Sequence, residues 1–220
     1  MDLSHWRGAP PPRRITLEGR YARLEPLAPE RHGADLFAAA LAPGADERFR
    51  YLPEAAPADA AAMAQWLDAA AVGDDPLFFA VIDRATGRTE GRQALMRIDP
   101  ANGVIEIGNI LWGAAIARTR VATEALYLAA AYVFDELGYR RFEWKCDDNN
   151  APSKAAARRF GFTFEGVFRQ HRVVKGLNRD TAWFAILDHD WPRLRTGYET
   201  WLSTSNFDAD GRQRSRLGFD

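Results

Sequence analysis

The chain of 220 residues carries 29 Lys and Arg residues against 30 Asp and Glu residues, so its formal net charge is -1. Such a balanced chain has no overall electrostatic attraction to nucleic acid or to an anionic membrane, and neither is expected as a partner. Because 47% of its residues are hydrophobic, the chain can bury one full core, and a single folded domain is predicted. No apolar run approaches the roughly 18 residues of a membrane-spanning helix.

The single cysteine and the N-terminal sequence favour a cytoplasmic protein. Cys146 has no second cysteine with which to form a disulfide, as is usual in a reducing compartment. The stretch Pro10-Pro11-Pro12 is not accompanied by the apolar core of a secretion signal. The four histidines show no metal-ligand spacing, so no metal is expected. The chain is compatible with a homodimer, but no sequence feature determines its oligomeric state.

The first part of the chain has the periodicity of alternating short strands and helices. Residues 1–14 are predicted to be a flexible lead-in. The elements that follow are two strand pieces around Gly19 within 15–27, a helix over 29–41, a loop over 43–57 and a helix over 58–71.

The remaining elements have clearer signals. Asn102-Gly103 separates two strand-like runs, 91–98 and 104–111, and this dipeptide is among the strongest hairpin signals. The run 123–137 has the best helical periodicity, and Gly138 supplies the left-handed residue with which a helix commonly ends. The other predicted elements are strands over 77–82 and 141–146, a helix from Asn150 to Phe160-Gly161-Phe162, a hairpin of 162–174 with 181–187, a helix over 192–202 and a polar tail over 203–220.

The most informative stretch is the polar turn 116–125, between a predicted strand and the best-patterned helix. A turn at a helix start directs several backbone N–H groups one way, and the helix dipole adds positive charge. Together with the guanidinium groups of Arg118 and Arg120, these N–H groups suit a pyrophosphate. The alternative is that both arginines are solvent-facing residues beside an ordinary helix start.

A second helix start, Asn150-Ala151-Pro152-Ser153, follows the strand over 141–146. The order of strand, phosphate turn, helix, strand, Asn-x-x-Ser helix and Gly-Phe resembles the core of the GNAT acyl-CoA N-acyltransferases. The Thr-Glu-Ala after the turn, with Asn-x-x-Ser…Gly-Phe…Glu-Gly-x-x-Arg downstream, resembles the branch that contains the ribosomal-protein alanine acetyltransferases. The resemblance covers a single GNAT domain over 15–191, and residues 192–220 are predicted to add a helix and a polar tail.

The resemblance implies an α/β fold of the α+β type, with a mixed, mostly antiparallel sheet of about seven strands and helices on both faces. In the family, the fourth and fifth strands splay apart and hold acyl-pantetheine in the cleft between them. Those strands correspond here to 104–112 and 141–146. The implied cosubstrate is acetyl-CoA, and the implied reaction is direct transfer of acetyl to a primary amine.

The same resemblance implies the residues that bind the cosubstrate. The family's phosphate turn usually has Arg or Gln at its first signature position and Gly at its second. This chain has Ala117 and Arg120 there instead, so backbone N–H groups would provide most of the binding. Asn150 is also a natural helix N-cap, and Ser153 is equally an ordinary first-turn residue. The implied cofactor-binding residues are Ile110, Leu111, Trp112, Arg118, Thr119, Arg120, Val121, Ala122, Thr123, Asn150 and Ser153.

Acetyl transfer to an amine needs a base for the incoming ammonium and a proton or compensating charge for the departing thiolate. Glu106, on the cleft strand, is the predicted base, acting directly or through water; the alternative is an outward-facing strand glutamate. Many family members place a tyrosine seven residues after the Asn to protonate the thiolate, and here Ala157 occupies that position. Water, Ser153 or a loop residue would then supply the proton.

The sequence leaves the acceptor amine open. Trp66, Met96 and Trp112 are predicted to line its pocket. A small-molecule amine, a peptide and a protein N-terminus are all compatible with the resemblance. A non-catalytic acyl-CoA-binding or regulatory protein is the alternative from a different class, because Ala157 and the altered turn depart from the family pattern.

Overall fold

The computed structural model describes residues 2–219, which form one eight-stranded sheet in the order β1-β2-β3-β4-β5-β6-β8-β7. All neighbouring strands are antiparallel except the parallel pair β5 and β6. The strands are β1 (Leu17–Glu18), β2 (Ala22–Pro26), β3 (Leu77–Asp83), β4 (Thr89–Asp99), β5 (Val104–Trp112), β6 (Arg141–Asp147), β7 (Thr163–Val174) and β8 (Leu177–Leu187). The predicted mixed, mostly antiparallel sheet is confirmed, and the two-residue β1 brings the count to eight.

Six α-helices are described, together with a π-helical turn and a short 3-10 helix. The helices are α1 (Pro29–Leu41), α2 (Ala45–Phe49), α3 (Ala60–Val72), α4 (Arg120–Ala131), α5 (Ala151–Arg159) and α6 (Trp191–Trp201). The π-helical turn, Tyr132–Glu136, continues α4, and the 3-10 helix is Thr204–Asn206. No helix within residues 2–219 is long and apolar enough to cross a membrane.

Helices cover both faces of the sheet, because interior strands such as β3 are apolar on both sides. Phe78 packs in a buried cluster with Leu36 of α1 and Leu67 of α3. Phe79 belongs to the larger cluster on the opposite face, which includes Leu126 of α4 and residues of α5 and α6. This alternation within one strand positions the two helical layers.

The parallel strands β5 and β6 separate toward their carboxyl ends. Their pairing runs from Val104 opposite Arg141 to Ile107 opposite Trp144 and goes no further, although both strands continue. A bulge in β5 accompanies the separation: Asn109 and Ile110 oppose the single residue Gln93 of β4. Asn109, one of the two bulged residues, has a left-handed φ of 50°. The splayed cleft expected between these strands is therefore present.

Two segments are more structured than the sequence indicates. The predicted loop 43–57 contains α2, which begins after Gly44 (φ 84°) and buries Phe49 against the cluster under α1. The polar tail folds back onto α6: Phe207 forms a β-bridge with Gln213, and the Trp201 indole donates to the Ser215 carbonyl at 3.1 Å. In both segments, tertiary burial provides stabilisation that local periodicity does not reveal.

The lead-in 1–14, of which residues 2–14 are described, contains no strand or helix but contacts the folded domain. The Trp6 indole donates to the Ala101 carbonyl at 2.7 Å, and the Ala9 N–H donates to the Pro100 carbonyl at 2.9 Å. The predicted flexibility of this segment stays a prediction.

Candidate functional site

The turn between β5 and α4 is built around a capped helix start. Arg118 has a φ of 63°, which reverses the chain before the helix. Thr119 is the N-cap: its Oγ1 accepts from the Val121 N–H at 3.2 Å and donates to the Ile116 carbonyl at 2.7 Å. Arg120 begins the helix with ordinary helical geometry, so its side chain does not disturb the turn. The other first-turn N–H groups lack intrahelical acceptors, as at any helix N-terminus.

A pocket of about 750 Å³ lies in front of this helix start and is strongly basic. Its four charged lining residues are Arg118, Arg120, Arg159 and Arg212, and no carboxylate of residues 2–219 lines it. We call it the basic pocket. Four guanidinium groups without a carboxylate, beside the positive end of a helix, are the arrangement expected of a polyanion site.

Aromatic rings and one hydroxyl position these guanidinium groups. Arg120 lies 4.3 Å from the Tyr21 ring centroid and 5.1 Å from that of Phe207. Arg159, on α5, donates to Thr123 Oγ1 at 3.2 Å. Burial lowers the pKa of Arg159, because a cation among apolar groups loses hydration. A bound anion would offset that cost.

Sequence reasoning missed Arg159 and Arg212. Two other cations of α5 have partners elsewhere: Lys154 pairs with Asp148 at 3.0 Å, and Arg158 lies over the ring of Phe184. A signal for Arg159 was available, because it shares one helical face with three other residues that line the pocket. These are Pro152, Ala155 and Ala156, which with Arg159 have the spacing i, i+3, i+4 and i+7. No local pattern places Arg212, which depends on the folding of the tail.

The splayed cleft between β5 and β6 is a second cavity, of about 320 Å³. Trp112, Ala117, Pro152 and Ala156 line both the cleft and the basic pocket, so the two are contiguous. The predicted strand residues Ile110, Leu111 and Trp112 line the cleft, as do Asn150 and Ser153. The predicted turn residues lie around the basic pocket, apart from Val121, whose N–H is taken by the cap.

Asn150 and Ser153 form the helix start that faces the cleft. Asn150 Oδ1 accepts from the Ser153 N–H at 3.1 Å, which confirms the N-cap interpretation. The Trp144 indole donates to Ser153 Oγ at 2.9 Å. That bond uses an oxygen lone pair, and the Ser153 hydroxyl also hydrogen-bonds the Cys146 side chain.

Glu106 is buried at the floor of the cleft and belongs to a chain of ion pairs. Its Oε2 lies 2.5 Å from Arg97 Nη1 and 2.9 Å from Lys145 Nζ. Lys145 also lies 2.6 Å from Glu143 Oε2, and Arg141 extends the chain to Glu143 and Glu165. Three cations and three carboxylates alternate, so the chain is neutral. The Glu106 carboxylate therefore lies among charged groups rather than among apolar side chains.

Ala157, at the position of the family tyrosine, is completely buried and contributes nothing to the cleft. A loop residue does reach it: Tyr51, just beyond α2, lines the cleft and donates its hydroxyl to the Asn149 carbonyl at 3.1 Å. Lys175, in the turn between β7 and β8, donates to the Phe49 carbonyl at 2.9 Å. These two contacts hold α2 and Tyr51 over the cleft, and we call this segment, residues 45–51, the strap.

The structure separates the three predicted acceptor-pocket residues. Met96 and Trp112 line the cleft with Glu106. Trp66 lies instead in a neighbouring cavity of about 210 Å³, where its ring is 5.3 Å from that of Phe78 and 4.1 Å from the Arg92 guanidinium carbon. Arg92 is itself buried and pairs with Glu54.

Comparisons with known proteins agree with this architecture. The GNAT acetyltransferase domain family matches residues 22–163. A GCN5-related N-acetyltransferase from Brucella melitensis, of known crystal structure, is 58% identical, with a TM-score of 0.96 and coverage of 98% of this chain and 97% of that chain. The chain therefore belongs to the GNAT family and is an acyltransferase.

Two curated relatives match over shorter regions. The uncharacterized N-acetyltransferase p20 of Bacillus licheniformis is 30% identical over 117 residues, which cover 51% of this chain and 63% of that protein. YdaF of Bacillus subtilis (strain 168), provisionally named a ribosomal N-acetyltransferase, is 29% identical over 102 residues, covering 46% of this chain and 55% of that protein. The chain thus spans less than two thirds of the length of either.

Within residues 2–219, no group of three or more His, Cys, Asp or Glu side chains is arranged to hold a metal ion. The GNAT family generally uses acetyl-CoA as the acyl donor.

Proposed function

We propose that this protein transfers the acetyl group of acetyl-CoA to a primary amine by direct attack of the amine on the thioester. The observation that carries the proposal is the continuity of the four-arginine pocket with the cleft between β5 and β6. A pyrophosphate-bearing head and a thin amide-bearing arm are the two parts of CoA, and each has a matching compartment.

The cosubstrate would bind with its phosphates at the α4 start, where Arg118, Arg120 and the first-turn N–H groups surround them. The pantetheine arm would lie along β5, where the backbone of residues 110–112 has no partner strand on the β6 side. Asn150 and Ser153 border the arm from α5. The thioester then lies near the cleft floor.

Glu106 is the proposed acceptor of the ammonium proton, directly or through water. Its Oε2 is occupied by two cations, while Oε1 lies beside Gly108, where a Cβ atom would be 3.4 Å away. Gly108 lines the cleft, so Oε1 is the oxygen near the reacting amine. The two paired cations fix the orientation of the carboxylate, so that Oε1 is directed toward the cleft and can accept a hydrogen bond from the ammonium.

In the proposed reaction, the amine nitrogen forms a bond to the acetyl carbon and the carbon–sulfur bond breaks. The ammonium gives one proton to Glu106 before the attack, a second proton leaves the nitrogen as the amide forms, and the CoA thiolate takes up a proton as it departs. The Ser153 hydroxyl, held by the Trp144 indole, is the proposed relay: it gives its proton to the sulfur and takes up the second proton from the nitrogen, directly or through water. Cys146 is not needed as a nucleophile, and burial raises the pKa of its thiol.

The test is CoA release from acetyl-CoA with a panel of primary amines, measured with a thiol reagent, alongside calorimetric binding of acetyl-CoA. We expect binding together with amine-dependent CoA release. Binding without release by any amine would favour the non-catalytic alternative, and absence of binding would contradict the assignment of the cosubstrate.

A protein N-terminus is the second acceptor to consider, because the relative YdaF carries the name of a ribosomal N-acetyltransferase. The cleft volume of about 320 Å³ and the strap above it admit an extended chain end more readily than a folded surface. Both a short peptide and a small amine satisfy that geometry, so the acceptor is proposed as one of these.

A further inference from the structure

The sheet face that α1 and α3 leave uncovered carries a row of polar and aromatic side chains. Glu106 and Lys145 are joined across β5 and β6 at 2.9 Å, and Lys145 lies opposite Trp183 of β8, with its Nζ 3.9 Å from the ring centroid. Arg179 lies four residues before Trp183, and side chains two or four apart on a strand share a face. These four residues form the acceptor face.

Charge on the acceptor face is balanced everywhere except at Arg179. The carboxylates of Glu106, Glu143 and Glu165 are paired with the three cations Arg97, Lys145 and Arg141. Arg179 lines the cleft and is half-buried, yet within residues 2–219 it forms no ion pair, and its Nε is buried without a hydrogen-bond partner. Burial lowers the pKa of Arg179. A half-buried guanidinium without an acceptor is costly unless a ligand provides one.

The surroundings of Arg179 are also positive. His171 of β7, whose Nδ1 is buried without a partner, has a pKa lowered first by burial and then by four cations. These cations are Arg172, Arg179, Arg97 and Lys145. Asp147 is the acidic group that acts on Arg179 most strongly, and its Oδ1 is already bonded to the Asn149 N–H at 2.8 Å.

We infer that Arg179 binds a carboxylate of the acceptor, so that the preferred acceptor is an amine that also carries a carboxylate near its amino group. The inference rests on the proposed function, because it assigns the acceptor of the same cleft. The ammonium faces Glu106 and the carboxylate faces Arg179, so that a zwitterionic end meets opposite charges at both positions. The carboxylate has two sources, the α-carboxylate of a free amino acid and the side chain of an acidic peptide.

The experiment compares kcat/KM for two matched pairs of amines at fixed acetyl-CoA. Alanine against alaninamide tests an α-carboxylate, and Ala-Asp-amide against Ala-Asn-amide tests a side-chain carboxylate. We expect the natural protein to prefer the acid in at least one pair. The variant Arg179→Gln should lose about 10- to 100-fold on that acid and far less on its amide. Comparing variants on each substrate cancels differences in intrinsic amine reactivity.

Two controls separate recognition from loss of charge or of fold. Arg179→Lys keeps the charge and should retain part of the preference. Arg169→Gln removes an exposed guanidinium from the same hairpin, outside the cleft, and should retain all of it. Equal loss on acid and amide in Arg179→Gln, or no preference for either acid in the natural protein, would overturn the inference.

If no amine releases CoA, the proposed function fails, and the inference is then tested by binding. Calorimetry with the same four compounds in the presence of CoA would support it if an acid binds more tightly than its amide and Arg179→Gln abolishes the difference. Equal binding of acid and amide would overturn it.

Discussion

At the scale of single residues, the proposed role of Glu106 as the base can be tested by one substitution. Glu106→Gln should lower the turnover by about 10²-fold or more while acetyl-CoA affinity stays nearly constant, because the variant removes the proton acceptor and leaves the basic pocket intact. The acid limb of the pH–rate profile should flatten. Steady-state kinetics across pH, with calorimetric binding of acetyl-CoA, measure both effects.

Glu143 pairs with Lys145 in the same ion-pair chain but does not line the cleft, so Glu143→Gln is the matched control. It should lower the melting temperature about as much as Glu106→Gln and leave turnover close to that of the natural protein. If both variants lose turnover equally, the chain acts through stability, and Glu106 is then a structural glutamate.

The sequence predicts Glu106 as the base, which stays a prediction, and gives no indication of its ion-pair partners. The position of Glu106, two residues before Gly108 on a strand beside an Asn-Gly hairpin, can be predicted from the local sequence. Arg97 and Lys145 come from β4 and β6, so their approach depends on the strand order and on the register that places Met96 opposite Glu106. Neither the strand order nor the register can be predicted from the spacing of residues along one strand.

At the scale of elements, the α4 start is the feature that can be tested most directly. Charge reversal of Arg118 and Arg120 together should weaken acetyl-CoA binding and flatten its salt dependence, because two cations beside the proposed phosphates become anions. The rise in melting temperature that acetyl-CoA causes in the natural protein should shrink. Thermal shift and calorimetry at several salt concentrations provide both readouts.

Charge reversal of Arg7 and Arg13 changes the net charge equally at exposed lead-in positions outside the basic pocket. That pair should leave the affinity and its salt dependence unaltered. An Arg118 and Arg120 double variant with native affinity would contradict the phosphate assignment.

The tail contributes to the same pocket through Arg212. Arg212→Gln should weaken acetyl-CoA binding by about 3- to 10-fold, as expected for one partly exposed charge-assisted contact. Arg216→Gln, in the same tail but outside the basic pocket, is its control. Calorimetry at one salt concentration suffices, and equal affinities of the two variants would remove Arg212 from the site.

Strong local signals predicted most elements, and the exceptions have a common cause. Asn102-Gly103 and Gly138 mark a hairpin and a helix end that the structure confirms. The five-residue α2 and the folded tail are too short or too irregular for periodicity, and they depend on burial of Phe49 and Phe207 against distant residues. Arg212 was therefore interpreted as part of a solvated tail.

At the scale of the whole molecule, the strap and the nearly neutral net charge both favour an acceptor that is recognised locally, inside the cleft. The cleft is reached beneath residues 45–51, and no large field is present to steer a charged assembly toward it. We expect small amines or short peptides to be acetylated with efficiency similar to that of a folded protein's N-terminus. Kinetics on one sequence, offered as a peptide and as the intact protein, measure this.

A preference for the intact protein of roughly 10³-fold, about 4 kcal/mol of additional transition-state binding, would contradict that expectation. It would require an extended docking surface outside the cleft. The peptide must carry the same first residues as the protein, so that local recognition near Glu106 and Arg179 is identical in both.

The separation of β5 from β6 gives the sheet a third edge, inside the molecule rather than at its rim. An exposed edge normally recruits other strands and promotes aggregation. Here the gap beyond Ile107 and Trp144 is enclosed by α5 and the strap, and its volume of about 320 Å³ admits a chain end but not a strand that pairs along the whole of β5. The protein can therefore keep unpaired main-chain groups available to a slender amide-bearing ligand without exposing them to other chains. Because these groups belong to the backbone, such binding does not depend on particular side chains.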